Sequence, residues 1–361
     1  MSVHEILIYI MAGFAVAGAL DRIFGNRIGI GKEFEEGILA MGSLALAMLG
    51  IISLAPVLAD LLRPVVVPVY RFLGADPAMF AGTILACDMG GAPLAQAMTN
   101  DKEAALLGGI LAGSMLGATI VFTIPVAIGI LRPEDRPAMA KGVLAGIVTV
   151  PVGILAGGLT AGFPLMKVLR NLIPIVLIAA LIALGLWKAE KWMIKGFNAF
   201  GKGIIAVITV GLAAAIVQEL TGFVLIPGML GLEEGFLTVG AIAIVLAGAF
   251  PLVWVITKLL RKPLLRLGKV LGVNDTAAGG LIATLANSIA TFGMVKDMDD
   301  RGKVVNIAFA VSAAFVFGDH LGFTAGFAPE MLPAMIVGKL AGGVSAVLVA
   351  LWLTKKERVG G

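Results

Sequence analysis

Cysteine is nearly absent from this chain: a single residue, Cys87, rules out an internal disulfide and any cluster of cysteine ligands. Charge is scarce as well, since Asp, Glu, Lys and Arg make up 14% of 361 residues where a soluble domain carries about a quarter. Histidine is limited to His4 and His320, and the sequence holds no HExxH run, no Ser-Xaa-Xaa-Lys run and no Gly-Lys-Ser or Gly-Lys-Thr phosphate loop. No catalytic constellation or cofactor is therefore expected, and an ATP-driven pump on this chain is excluded. Alternation of apolar and polar residues is also missing, which excludes a membrane β-barrel.

What the chain has is apolar length. Hydrophobic residues make up 59% of it, with 48 glycines and a mean hydropathy of +1.03, so we read an all-α, polytopic membrane protein whose helices pack closely through small residues. The net charge of +4 is explained by basic cytoplasmic loops, and no nucleic-acid partner is expected. The run Ile6 to Leu20 lacks a basic flank and reads as a retained first helix. Nine stretches are long enough to span about 30 Å of hydrocarbon: 5–22, 37–58, 104–129, 142–160, 171–187, 200–221, 237–257, 304–324 and 331–353.

Two further segments, 78–98 and 278–295, are apolar with polar centres and Gly-rich flanks. If both enter and leave on one side as re-entrant hairpins, 21 of the 27 Lys and Arg residues fall on one face and five on the other, with Lys339 inside the ninth span. If both cross, the bias vanishes. The positive-inside rule thus selects hairpins, an external N-terminus and a cytoplasmic C-terminus. Basic pieces at 61–74 and 259–272, too short to span, are expected along the interface.

The second segment follows the first by about 199 residues, and the same offset relates most of the flanking spans. The chain is therefore divided into a first repeat (1–160), a linker with the fifth span (161–199) and a second repeat (200–361). One odd span between the halves inverts the second. Inverted repeats with broken helices are a transporter pattern, because irregular backbone inside a membrane is tolerated where it lines a cavity. The stripes Gly109, Gly113, Gly117 and Ala310, Ala314, Gly318 read as close helix packing.

Ionisable groups within spans need a reason, because Asp at a helix centre costs about 2.5–3.5 kcal/mol on insertion scales. Asp88, in Ala86-Cys87-Asp88-Met89-Gly90-Gly91, is a candidate for binding substrate or ion, or else caps a half-helix. Asp319 and His320 are candidates in the eighth span, with a structural Asp319–Lys339 ion pair as the alternative. Gln96, Asn287 and Ser288 offer neutral hydrogen bonds near the hairpin tips. Phe292, together with Phe315 and Phe317, could turn a ring face to a cation or simply pack.

The runs Leu85-Ala86-Cys87-Asp88-Met89-Gly90-Gly91, Asn274-Asp275-Thr276-Ala277-Ala278-Gly279-Gly280, Leu285-Ala286-Asn287-Ser288-Ile289-Ala290 and Phe317-Gly318-Asp319-His320-Leu321-Gly322-Phe323 resemble the ethanolamine permease family of bacterial ethanolamine utilisation, EutH. The resemblance covers the whole chain. It implies a permease of the bacterial inner membrane that brings in ethanolamine for a microcompartment-based pathway, but it transfers no binding residues. The interfacial-helix, hairpin, span order is also similar to the concentrative nucleoside transporters, a likeness of architecture only. An ion-coupled carrier of another small amine or polar metabolite is the alternative, and a membrane enzyme using Asp319 and His320 is a third. Homo-oligomerisation stays open.

Overall fold

The computed structural model describes residues 2–355, and among them every regular element is a helix. Lys356 and Arg358 lie outside the described residues, as do the side chains of Arg261 and Lys262. The chain begins with a reciprocal cap: Ser2 Oγ accepts from Glu5 N while Ser2 N donates to Glu5 Oε2 at 2.7 Å, starting α1, Val3–Ile23. A turn follows in which the buried Asp21 carboxylate accepts from Ile28, Gly29 and Gly31 N–H groups. It leads into α2, Ile30–Phe72. Next come two short helices, α3 (Ala78–Ile84) and α4 (Gly91–Met98), then α5 (Lys102–Ile130) and α6 (Pro133–Thr160). The second half holds α7 (Leu165–Thr221), α8 (Leu232–Leu271), the short α9 (Asp275–Ala286) and α10 (Ser288–Met294), α11 (Asp300–Ala313), α12 (Asp319–Phe327) and α13 (Leu332–Leu353).

Among the described residues seven helical segments are long and apolar enough to cross a membrane, and the chain is a multi-pass membrane protein. The nine expected spans differ from these seven in two places. The fifth and sixth lie in α7, whose 57 residues would extend about 85 Å at 1.5 Å per residue, far beyond one bilayer. Ala189 breaks it with φ −142° and ψ 43°, so sharply that the Met193 side chain folds back against Gly185. The first limb starts beside Asp76 and Asp101, where Asn171 and Lys167 bond to them; the second passes Pro125 at Gly201 and Leu54 at Gly211 on its way back.

The eighth expected span is not continuous. The chain leaves α11 at Ala314, Phe315 takes a left-handed φ of 63°, and α12 starts at Asp319. Two freed donors find partners across the bundle: Phe315 N donates to Thr284 O at 3.2 Å and Phe317 N to Leu285 O at 2.8 Å. The small-residue pattern of this stretch suits a helix, and these cross-bundle bonds outweigh it.

The basic pieces at 61–74 and 259–272 are also not separate elements. They are the ends of α2 and α8, which run on through Pro56, Pro64 and Pro68 and through Pro251 and Pro263. Prolines bend such helices without ending them when neighbours compensate for the lost bond. Both helices stop at a left-handed glycine, Gly74 at φ 72° and Gly272 at φ 69°.

Candidate functional site

Each short helix pair is tied at its base. Thr99 Oγ1 donates to Asp76 Oδ2 at 2.9 Å, so α4 ends where α3 begins. Asn274 N donates to Asp299 Oδ1 at 2.9 Å, and Asn274 Nδ2 to Asp297 O at 3.0 Å, joining the ends of α9 and α10 in the same way. The first base belongs to a charged cluster in which Lys167 Nζ lies 2.7 Å from both Asp101 Oδ1 and Glu103 Oε2.

The tips of the two pairs are irregular. After α3, Leu85 and Ala86 are extended, Cys87–Met89 makes one tight turn, and Gly90 at φ 92° turns the chain into α4. Only glycine serves there, because a Cβ would also meet the Ile51 side chain at 2.3 Å. Ala86 O accepts from Met89 N and Gly91 N, so the backbone closes on itself. At the other tip Asn287 is extended and caps α10, its Oδ1 accepting from Ile289 N at 2.8 Å. Glycines of neighbouring segments press on both breaks: a Cβ at Gly117 of α5 would lie 1.9 Å from Leu85 O, and one at Gly318, between α11 and α12, would lie 2.1 Å from Ala286 O.

Between the tips is a cavity of about 450 Å³ whose wall includes Asp88, Asn287, Asp319 and His320, with Phe122, Phe250 and Phe315 supplying ring surface. A second cavity of about 450 Å³ shares Glu36, Phe250, Asn287 and Asp319 with it and adds Glu33, Trp254 and Lys258. Lys258 Nζ sits 3.5 Å from the Trp254 ring centroid, a cation–π contact. This inner cavity lies beside the first turns of α2, at the opposite end of that helix from the Asp76–Asp101 cluster.

Four of the seven candidates therefore meet. Gln96 does not join them: it is exposed and lines a small separate pocket with Thr99, Asn100 and Lys102. Phe292 is core, 2% exposed, and Ser288 is fully buried with its hydroxyl unpartnered and away from the cavity walls. Asp319 does not pair with Lys339, whose ammonium donates instead to Ser114 O. Glu36, Phe122 and Phe250 complete the wall; nothing in their local sequence sets them apart, because a wall assembled from α2, α5 and α8 is a tertiary property.

Several carboxylates among the described residues have structural partners. Asp21 accepts three backbone N–H bonds, Asp76 accepts from Ala78 N and Thr99, Asp101 caps α5 and pairs with Lys167, and the buried Asp135 meets Lys303 at 2.8 Å. Asp88 has only His320 Nε2 at 3.6 Å and the Cys87 thiol at 3.9 Å, and it caps no helix. The Asp319 side chain makes no hydrogen bond or ion pair among the described residues. A shielded carboxylate without partners is costly, which sets these two apart from the others. One ligand atom each from Cys87, Asp88 and His320 lie within 4.8 Å of one another, a trio that could also hold a cation.

The chain is 59% identical over 356 residues to the "Probable ethanolamine permease EutH" of Listeria monocytogenes, covering 99% of this chain and 95% of that protein. It is 50% identical to the protein of the same name from Escherichia coli, covering 99% and 97%. An uncharacterised Bacillus subtilis protein, YxeR, is 52% identical over 99% of this chain and 96% of its own. No solved structure matches. The family model described as "Ethanolamine utilisation protein, EutH" matches residues 3–353, and the chain belongs to that family.

Proposed function

We propose that the protein is an ethanolamine permease in which the protonated amine is held between Asp88 and Asp319 and the hydroxyl is met by the Asn287 carboxamide. The observation that carries this is the pair of carboxylates without structural partners on the wall of one cavity. Ethanolamine supplies what the wall lacks. Its primary amine, like that of lysine with an unperturbed pKa of about 10.4, is protonated at neutral pH. Asn287 Oδ1 is engaged in capping α10, which leaves its amide N–H groups for an oxygen acceptor. The names of the relatives agree with a permease rather than an enzyme.

In this reading 1–160 and 200–361 are inverted repeats joined by the fifth span, and both short pairs are re-entrant hairpins. The cation approaches from the Asp76–Asp101 end, taken as external, and leaves through the Glu33–Lys258 cavity toward the cytoplasm. The membrane is the bacterial inner membrane, with the N-terminus outside and the C-terminus inside. Cysteines at Asn100 and Asp300, both exposed, test this against the buried native Cys87. They are expected to label with an impermeant thiol reagent from opposite faces, and labelling from one face would end the inverted-repeat reading.

Counterflow of labelled ethanolamine in proteoliposomes tests the transport itself. A carrier accumulates label transiently against unlabelled substrate and returns it unchanged, whereas a channel gives no counterflow and an enzyme alters the molecule. An ion-coupled carrier is the second reading, favoured by the Cys87, Asp88 and His320 trio. It requires counterflow or net uptake to respond to a sodium or proton gradient, and facilitated diffusion requires that neither does.

A further inference from the structure

A lysine in the middle of a membrane protein needs a counter-charge. Lys339 is completely buried on α13, and the hydrogen bond it makes among the described residues runs to the Ser114 carbonyl. That carbonyl belongs to the part of α5 that is wound more loosely than an α-helix, Leu107–Gly117. Beside it, at Gly113, α5 passes so close to the first break that an added Cβ would stand 3.0 Å from Cys87 N. The ammonium thus lies behind the tip that presents Asp88, while lining neither cavity.

The formal charges facing this region come from every element packed around it. Asp88 comes from the first tip and Asp319 from α12. With His320, whose Nδ1 has no hydrogen-bond partner, and the buried Cys87 thiol both neutral, neither adds a charge. Glu36 stands at the exposed rim, where water screens it. Counted in their charged forms, two carboxylates and one ammonium leave one negative charge without a partner. A singly charged alkylammonium cancels it.

We propose that Lys339 sets the charge of the cargo: it is a fixed cation behind the wall that makes the site neutral with one ammonium group and over-filled with two. This rests on the ethanolamine reading of the site and goes further, because it selects monoamines against diamines by charge and not by size. A cavity of about 450 Å³ has room for either. Moving a net charge through a low-dielectric region is unfavourable, so loaded states of zero net charge cross most readily.

The test uses labelled ethanolamine counterflow at pH 7, with 1,4-diaminobutane as the doubly charged probe and thermal shift of purified protein as a binding readout. In the wild type the diamine is expected neither to compete in hundredfold excess nor to raise the thermal midpoint. Lys339→Met should lower ethanolamine counterflow at least tenfold and let the diamine bind. Combining Lys339→Met with Asp88→Asn returns the count to one negative charge, and counterflow should recover at least threefold over either single variant. A purely structural lysine predicts the opposite, a double variant no better than the worse single one, and that result overturns the proposal. So does a Lys339→Met protein that keeps wild-type preference. Wild-type protein silent toward ethanolamine in both assays would instead overturn the cargo assignment, whatever the diamine does.

Discussion

The two breaks face the same backbone problem and meet it with different side chains. After α9, a neutral amide does the work: Asn287 caps α10, its Oδ1 accepting from Ile289 N. After α3, the backbone does the work: Ala86 O accepts two N–H groups and Gly90 makes the turn, so Asp88 is not needed to hold the tip together. A carboxylate that bears a desolvation cost and caps nothing is explained by what it receives. The difference teaches that a break can be closed by a side-chain cap or by backbone alone, and that the second way leaves the side chain at the tip unengaged.

What the breaks share is crowding by a glycine from a neighbouring segment, and altering it should have the largest effect. A Cβ at Gly117 or Gly318 would overlap the carbonyl oxygens of Leu85 or Ala286, which belong to backbone and cannot swing aside. Gly117→Ala and Gly318→Ala should each remove most correctly inserted protein, measured as monodisperse material after detergent extraction. Normal yield from either would mean that its break is free to move away from its neighbour.

What the breaks do not share is charge, and the next effect in size comes from removing it. Asp88→Asn and Asp319→Asn keep the shape of the wall and delete an ammonium partner, so counterflow below half-saturation should fall at least tenfold, or about 1.4 kcal/mol. Asn287→Ala removes a cap worth about 0.5–2 kcal/mol and should lower the thermal midpoint. Its lost neutral hydrogen bond to substrate, about 0.5–1.5 kcal/mol, limits the transport loss to about two- to tenfold per inserted molecule. Equal losses from Asp88→Asn and Asn287→Ala, both well inserted, would erase the distinction drawn between the tips.

Much of this was legible in the sequence, for local reasons. Asp88 and Asn287 stand out because polar residues interrupt apolar runs, and the runs are covalently continuous. The break at 314–318 was not legible: it is fixed by bonds from Phe315 and Phe317 to carbonyls some thirty residues earlier, and the surrounding Ala and Gly suit a packed helix equally well. The same holds for Lys339. Its position within a span suggested a pairing with Asp319, but its choice of the Ser114 carbonyl depends on the loosened winding of α5. Nor does composition reveal that α2 and α8 continue through their prolines.

The smallest effect is expected at the bases of the pairs, where the first carries an ionic latch and the second is joined by Asn274. Burial works against ionisation of Asp101, but Lys167 and the N–H groups of Ala104 and Glu103 outweigh it and hold the carboxyl below its ordinary value. A carboxyl lowered in the folded state contributes stability above its unfolded pKa of about 3.9, and loses it as pH falls through the lower folded value. The latch is therefore fully formed from about pH 5 to pH 8. Asp101 is 41% exposed, so water screens the pair and its worth is about 0–1 kcal/mol. Asp101→Asn retains a good capping oxygen and loses the pair, which should lower the thermal midpoint slightly and by the same amount at every pH in that range. Uptake should change less than about twofold. If the difference between wild type and variant instead changed near pH 6 or 7, the latch would be titrating with transport, and the first base would take part in it alongside the tips.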